Sequence, residues 1–322
     1  MLAAEVEEFL SALKLGTRHV YQRGLTKFQE FLAKQGLDVA SFLSLVEEDL
    51  RRPRLEKTRV ARKTLNAFIA HLQGEGFAPK TINAYLGAVQ SLAKYYDIPL
   101  STRYVNRPPA RALNKKHPWT IEEIGKFVSL MDNIQYKCIA ACIVQSGLSI
   151  SDLLGLRYGD IKEEFEKGVA PLCLDLSRKK TNISFLTFVG SWALGLLKQH
   201  LADRAMQDDT LIFTVTRRAV DGYFRRTGLK FGGIFRGRNP YSPHSLRAAF
   251  RTILSDHKVD PLYIEFWMGH KVPEQQIVYV SKSREGWRET YRAMVEPLLS
   301  PNMSVCDASL KARPIMCSCF GE

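Results

Sequence analysis

Several things are scarce or absent in this 322-residue sequence. No apolar run is long enough to span a bilayer, and the first residues include Glu5, Glu7 and Glu8 where a signal peptide would be basic and then apolar. A membrane chain is not expected; a soluble, cytoplasmic one is. Cysteines number six. Cys138, Cys142 and Cys173 lie in apolar surroundings and read as buried free thiols, whereas Cys306, Cys317 and Cys319 sit near the end with no histidine or second close pair to complete a metal site. There is no Gly-x-x-x-x-Gly-Lys-Ser/Thr loop and no paired carboxylate set, which argues against a nucleotide-driven enzyme and a metal nuclease; no cofactor or metal is expected. Internal repeats and low-complexity tracts are missing too.

Acids are also few. Lysine and arginine outnumber them 46 to 33, and the net charge of +13 favours a polyanionic partner. With 45% hydrophobic residues the chain can bury a core, and its length suggests two domains. Residues 1–100 read as a helical bundle: Val6, Phe9, Leu10 and Leu13, then Leu65, Phe68, Ile69 and Leu72, then Ile82, Tyr85, Leu86 and Val89 form apolar stripes at helical spacing. The polar faces are most basic where Arg51, Arg52, Arg54, Lys57, Arg59, Arg62 and Lys63 crowd together. That run is either a solvated face or one that meets a polyanion. Periodicity is lost over 101–118, where Pro108, Pro109, Arg111, Lys115 and Lys116 suggest a linker.

A second domain is expected over 119–300, opening with a capping box from Thr120 to Glu123. Leu172, Leu174 and Leu176 alternate with other residues, as do Ile183, Phe185, Thr187 and Val189, so a hairpin is predicted with Lys179 and Lys180 at its tip. Helical patterns return from Trp192 to Leu201 and from His244 onward. The fold class is therefore mainly α with a small β-sheet. Residues 301–322 read as a poorly ordered or partner-binding tail.

Three segments carry possible chemistry. Ser242 and Pro243 look like the N-cap and first residue of a helix that sets His244 and Arg247 on one face, beside backbone N–H groups that favour an anion. Such a pair also arises on ordinary solvated helices. Asp260 and Pro261 begin a short helix that Gly269 is placed to stop, with His270 at its exit; Tyr279 follows nine positions later. Taken alone, Tyr279 within Ile277-Val278-Tyr279-Val280 reads as a buried aromatic.

The combination of His-x-x-Arg, Gly-His and a tyrosine nine residues on resembles the tyrosine recombinase (phage integrase) family, in its XerC/XerD-like bacterial or archaeal form, over nearly the whole chain. The resemblance implies a two-domain DNA clamp, with a SAM-like core-binding domain followed by an α+β catalytic domain. It further implies a site-specific recombinase that breaks and rejoins DNA, with Tyr279 as the nucleophile that forms a 3′-phosphotyrosine. Arg247 would clamp the phosphate, His244 and His270 would donate hydrogen bonds to it, and Lys180, with Lys179 close behind, would protonate the leaving 5′ oxygen. Double-stranded DNA is the implied partner, and a homotetramer is implied through the C-terminal stripe of Trp287, Tyr291, Met294, Val295 and Leu298, a stripe that otherwise packs within its own subunit. A nucleoid association would follow.

One departure stands out. In Ser146-Gly147-Leu148-Ser149-Ile150-Ser151-Asp152, the family's first arginine is replaced by Ser149, which can cap the helix it precedes. Arg157, or a cation from Arg236-Gly237-Arg238, could substitute; otherwise the enzyme is slow, or it binds DNA without cutting. Restoring arginine at Ser149 is expected to raise or preserve cleavage. Competing readings are a type IB topoisomerase and a catalytically impaired DNA-binding relative.

Overall fold

The computed structural model describes residues 3–101, 103–109, 117–178, 183–233, 239–273, 276 and 281–301. The chain divides into two compact units, Met1–Lys115 and Lys116–Glu322.

The first unit holds α1 (Ala4–Ser11), α2 (Leu15–Ala33), α3 (Val39–Arg51), α4 (Val60–Gly74) and α5 (Pro79–Tyr95). The apolar stripes meet in one core, where Phe28 makes edge contacts with Phe42 at 5.2 Å and Phe68 at 5.1 Å between ring centroids. The basic run does not lie mainly on helix faces, as its place among helical patterns suggested. Pro53 cannot continue α3, so Arg52 to Arg59 form the connection to α4, and Arg62 and Lys63 alone lie on that helix. Asp49, buried at the end of α3, anchors this connection by accepting from the Thr58 hydroxyl at 2.9 Å and the Val60 N–H at 3.3 Å. The chain from Tyr104 to Pro108 is tied back to the same unit: Asn66 accepts from the Asn106 N–H, and Asn83 donates to the Pro108 carbonyl.

The second unit comprises α6 (Ile121–Ser129), α7 (Ile134–Ser146), α8 (Ile150–Leu153), a 3-10 turn (Tyr158–Asp160), α9 (Lys162–Glu166), β1 (Leu172–Ser177) and β2 (Ser184–Val189). It continues through α10 (Ser191–Leu201), α11 (Arg217–Phe231), α12 (Pro243–Asp256), α13 (Pro261–Trp267) and α14 (Arg284–Met294). Among the described residues the chain is thus mainly helical with one antiparallel pair, in which Leu172 faces Val189 and Ser177 faces Ser184. The expected capping box is present: Thr120 accepts from the Glu123 N–H, and Glu123 accepts from the Thr120 N–H.

α7 is the hub, buried without interruption from Cys138 to Ser146 and packed against α10, α12 and β2. Its polar C-terminal residues are satisfied by its neighbours. Gln145 accepts from the Ala193 N–H at 3.0 Å, and Thr187 on β2 donates to the Ser146 carbonyl at 2.6 Å. The hairpin is thereby fixed to the end of α7. Cys138, Cys142 and Cys173 are free and buried, and burial pushes the Cys173 thiol up to about 12.

The stripe on α14 packs in its own subunit. Trp287, Tyr291 and Val295 are wholly buried, the Tyr291 hydroxyl donates to the Gln145 carbonyl at 2.8 Å, and only Met294 of the five is exposed. Arg288 pins the same helix to α9 and the start of β1 by donating to Glu164 at 2.6 Å and 3.1 Å and to the Pro171 carbonyl, while Glu164 also accepts from the Cys173 N–H. Removing one partner of a buried pair strands the other, so Arg288→Ala should destabilise this unit by about 3–5 kcal/mol in urea denaturation. Burial tends to raise the Glu164 pKa, but Arg288 and the Cys173 N–H outweigh it and hold the carboxyl below its ordinary range. A carboxyl with a depressed folded pKa contributes stability above its unfolded pKa and loses it as pH falls through the folded one. Acid should therefore destabilise the wild type more than Glu164→Gln, as urea midpoints across acidic pH would show.

No helix among the described residues is long and apolar enough to cross a membrane.

Candidate active site

α12 begins as the sequence suggests. Ser242 caps it by accepting from the Ser245 N–H, Pro243 occupies the first turn, and the Trp119 indole N–H donates to the Ser245 hydroxyl at 3.2 Å. Leu246, Phe250, Ile253 and Leu254 face the core. His244, in the first turn, has an exposed side chain; Arg247, one turn later, is only 6% exposed.

Two glycine turns flank the Arg247 guanidinium. Gly147 ends α7 with φ +64°, and a Cβ there would lie 2.7 Å from the Phe250 ring, so no other residue fits this turn without displacing α12. Its carbonyl accepts from Arg247 Nη1. Gly269, also at φ +64°, terminates α13 in a Schellman motif: its N–H donates to the Phe266 carbonyl at 2.9 Å, and the His270 N–H donates to the Glu265 carbonyl at 3.0 Å. That reversal returns the His270 ring over the Glu265 carboxylate, which binds Nδ1, and presents Nε2 to Arg247 Nη2 at 3.0 Å. Arg247 Nη2 also donates to the Met268 carbonyl at 2.7 Å. With Nδ1–H donating to Glu265, Nε2 is the acceptor for Arg247. Glu265 is held in turn by Arg251 at 2.6 Å.

Burial, and next the nearby charge of Arg178, lower the Arg247 pKa to about 10. It remains charged at neutral pH. The guanidinium has more donors than these contacts use, and an arriving anion would stabilise its charge.

Arg247 and His270 are in direct contact. Ser149 caps α8, accepting from the Asp152 N–H and donating to the Asp152 carboxylate at 2.7 Å. Tyr279, Lys179 and Lys180 lie outside the described residues, as do Arg236 and Arg238. The Arg157 guanidinium donates to the Asp209 carbonyl, and its backbone bridges to Leu211. In the first unit Arg51, Arg52, Arg54, Arg59 and Lys63 are exposed, with Lys57 and Arg62 partly so. Arg62 and Arg103 flank the exposed Tyr104 ring at 5.6 Å and 5.3 Å.

Sequence reasoning passes over Glu265 and Arg178. Glu265 stands five residues before His270, a spacing that signals nothing until the Schellman turn folds the histidine back. Arg178 precedes two lysines that carry the stronger sequence signal.

The phage integrase family profile matches residues 119–285, more than half of the chain. The tyrosine recombinase XerC of Chlamydia caviae is 22% identical over 310 residues, spanning 88% of this chain and 95% of that protein. The tyrosine recombinase XerA of Pyrococcus horikoshii is 25% identical over 226 residues, 69% of this chain and 76% of that protein. Among solved structures, the Tn1549 transposon integrase in complex with circular intermediate DNA superposes with a TM-score of 0.59 at 15% identity, covering 89% of this chain and 98% of that one. A lambda integrase dimer bound to a COC′ core site gives 0.57 at 16% identity, covering 84% and 96%. At these identities the structural likeness speaks for the fold. The chain belongs to the phage integrase family, the tyrosine recombinases.

Proposed function

We propose that this recombinase breaks and rejoins double-stranded DNA at specific sites, with Tyr279 attacking the scissile phosphate to form a 3′-phosphotyrosyl intermediate. The observation that carries the reading is the buried Arg247 beside His270, on two elements joined only by folding, within a family-matched segment. Storing the phosphodiester on a tyrosine lets the strand rejoin without nucleotide energy. Arg247 grips nonbridging oxygens, His244 and His270 donate to the charge that grows in the transition state, and Lys180, or Lys179, protonates the departing 5′ oxygen. Donation from Nε2 uses the doubly protonated ring, in which Nδ1–H still reaches Glu265.

The first unit is the core-binding half of a DNA clamp, with Arg51, Arg52, Arg54, Lys57, Arg59, Arg62 and Lys63 meeting phosphates. If binding neutralises six to ten phosphates, affinity should fall by roughly 10³–10⁵ between 50 and 200 mM salt in a fluorescence titration. A slope near zero would remove phosphate contact as the basis of binding. Strand exchange calls for a homotetramer on paired sites. Trp287, Tyr291 and Val295 are committed to their own subunit, so Met294, the exposed member of the stripe, and the chain beyond Pro301 are the parts assigned to reach a neighbour. The protein acts in the cytoplasm, on the nucleoid.

Incubation with nicked genomic DNA, followed by mapping of covalent adducts, tests the reading and discloses the site. Adducts at one sequence, with recombinant products from paired copies, are expected. Relaxation of supercoils without exchange indicates a type IB topoisomerase, and binding without adducts indicates an impaired relative. Tyr291→Phe should leave adduct formation intact, because that hydroxyl is sealed against Gln145.

A further inference from the structure

Ser149 leaves the family's first-arginine position without a cation, and neither Arg157 nor any other side chain of that turn supplies one. The hairpin does. Arg178 follows β1 directly, and its side chain, 19% exposed, turns back from the hairpin toward Arg247's surroundings. Its Nη1 donates to the Gly269 carbonyl at 3.1 Å, while Arg247 Nη2 donates to the adjoining Met268 carbonyl at 2.7 Å. The two guanidinium groups thus hold consecutive carbonyls of the strap that carries His270. On its other side Arg178 Nε stands 4.0 Å from Asp152 Oδ2, the same oxygen that accepts from the Ser149 hydroxyl at 2.7 Å. Arg178 therefore reaches from the serine position to the histidine strap.

We propose that Arg178 is the second phosphate-binding guanidinium of this site, entering from the hairpin in place of an arginine at Ser149. The assignment rests on the recombinase reading above. Two cations side by side repel, and Arg178 is the largest neighbouring charge that makes Arg247 harder to keep protonated, after burial itself. Asp152 and Glu265 offset part of this. A phosphate between the two guanidinium groups would relieve the rest, which is the electrostatic condition for selective binding of a dianionic transition state. The competing role is a staple that merely fastens the hairpin to the exit of α13.

The test uses the full-length protein on a nicked duplex recovered by adduct mapping, with single-turnover cleavage and equilibrium binding both measured. Arg178→Ala should bind nearly as well as wild type and cleave on the order of a hundredfold more slowly or worse. Arg178→Lys should fall between, because it keeps the charge and loses the fork. A scissile methylphosphonate, which carries no charge, should narrow the gap between Arg178→Ala and wild type at least tenfold. Ser149→Arg should recover cleavage in the Arg178→Ala background and give no gain where Arg178 is present, which confines the benefit expected from the sequence to the doubly altered protein. Wild-type cleavage by Arg178→Ala overturns the assignment. So does a loss that neither the neutral phosphate nor Ser149→Arg repairs, since that is the behaviour of a staple. If wild type forms no adduct on any DNA, the recombinase reading itself falls and takes this assignment with it.

Discussion

Tyr279→Phe is expected to form no covalent adduct on a nicked duplex that traps the wild-type protein, and to bind that duplex with unchanged affinity. Phenylalanine keeps the ring and removes only the oxygen that would attack the phosphorus. The effect on adduct yield is therefore a complete loss, because no water-activated route stores the DNA end on protein. Tyr291 cannot take over: it is wholly buried, its hydroxyl donates to Gln145, and burial raises its pKa well above the ordinary phenol value. Denaturing gels of the two variants side by side check the point. An adduct from Tyr279→Phe at the wild-type level would exclude Tyr279 as nucleophile.

Arg247→Ala has two large consequences, which separate by measurement. The first is catalytic. Loss of a charged donor from a dry site should slow single-turnover cleavage by roughly 10²–10³. The second is structural. The Gly147 and Met268 carbonyls lose their donor in a buried place, a loss of about 1–3 kcal/mol for each group left unsatisfied. Urea midpoints should therefore drop for Arg247→Ala and hardly move for Arg178→Ala, whose side chain is partly in solvent. Arg247→Lys restores the charge without the fork and should recover little cleavage, because one ammonium cannot hold both carbonyls and a phosphate. Equal stability of Arg247→Ala and wild type would mean that the guanidinium does not carry these contacts.

Features that depend on near neighbours in the chain are legible in the sequence alone. The capping box at Thr120, the Ser242-Pro243 start of α12 and the Asp260-Pro261 start of α13 each announce themselves within four residues. The hairpin is legible from its alternation, since Phe185 and Thr187 face inward while Ser184 does not. α7 is not, because it is buried on every side from Cys138 to Ser146 and so shows no contrast between faces. The basic run from Arg51 to Lys63 is visible as charge, but its shape as a connection depends on Asp49, a buried acid whose partners are visible only in three dimensions. In the site, Gly269 and His270 are readable as a helix exit, whereas Glu265 and Arg178 acquire meaning only when the exit folds back and the hairpin lies beside it. Lys179 and Lys180, and Tyr279 with them, lie outside the described residues, so their roles stay with the proposal.

In the proposed reaction a phosphate held by Arg247 and His270 is attacked by Tyr279, and the residue that carries the DNA decides it. The wild-type adduct, trapped on a nicked duplex and digested with trypsin and nuclease, should yield one nucleotide-modified peptide, Val272 to Lys282, in which Tyr279 is the only tyrosine. Fragmentation should place the phosphate on that phenol. A nucleotide found on any other residue, or on a peptide from elsewhere in the chain, would contradict the account.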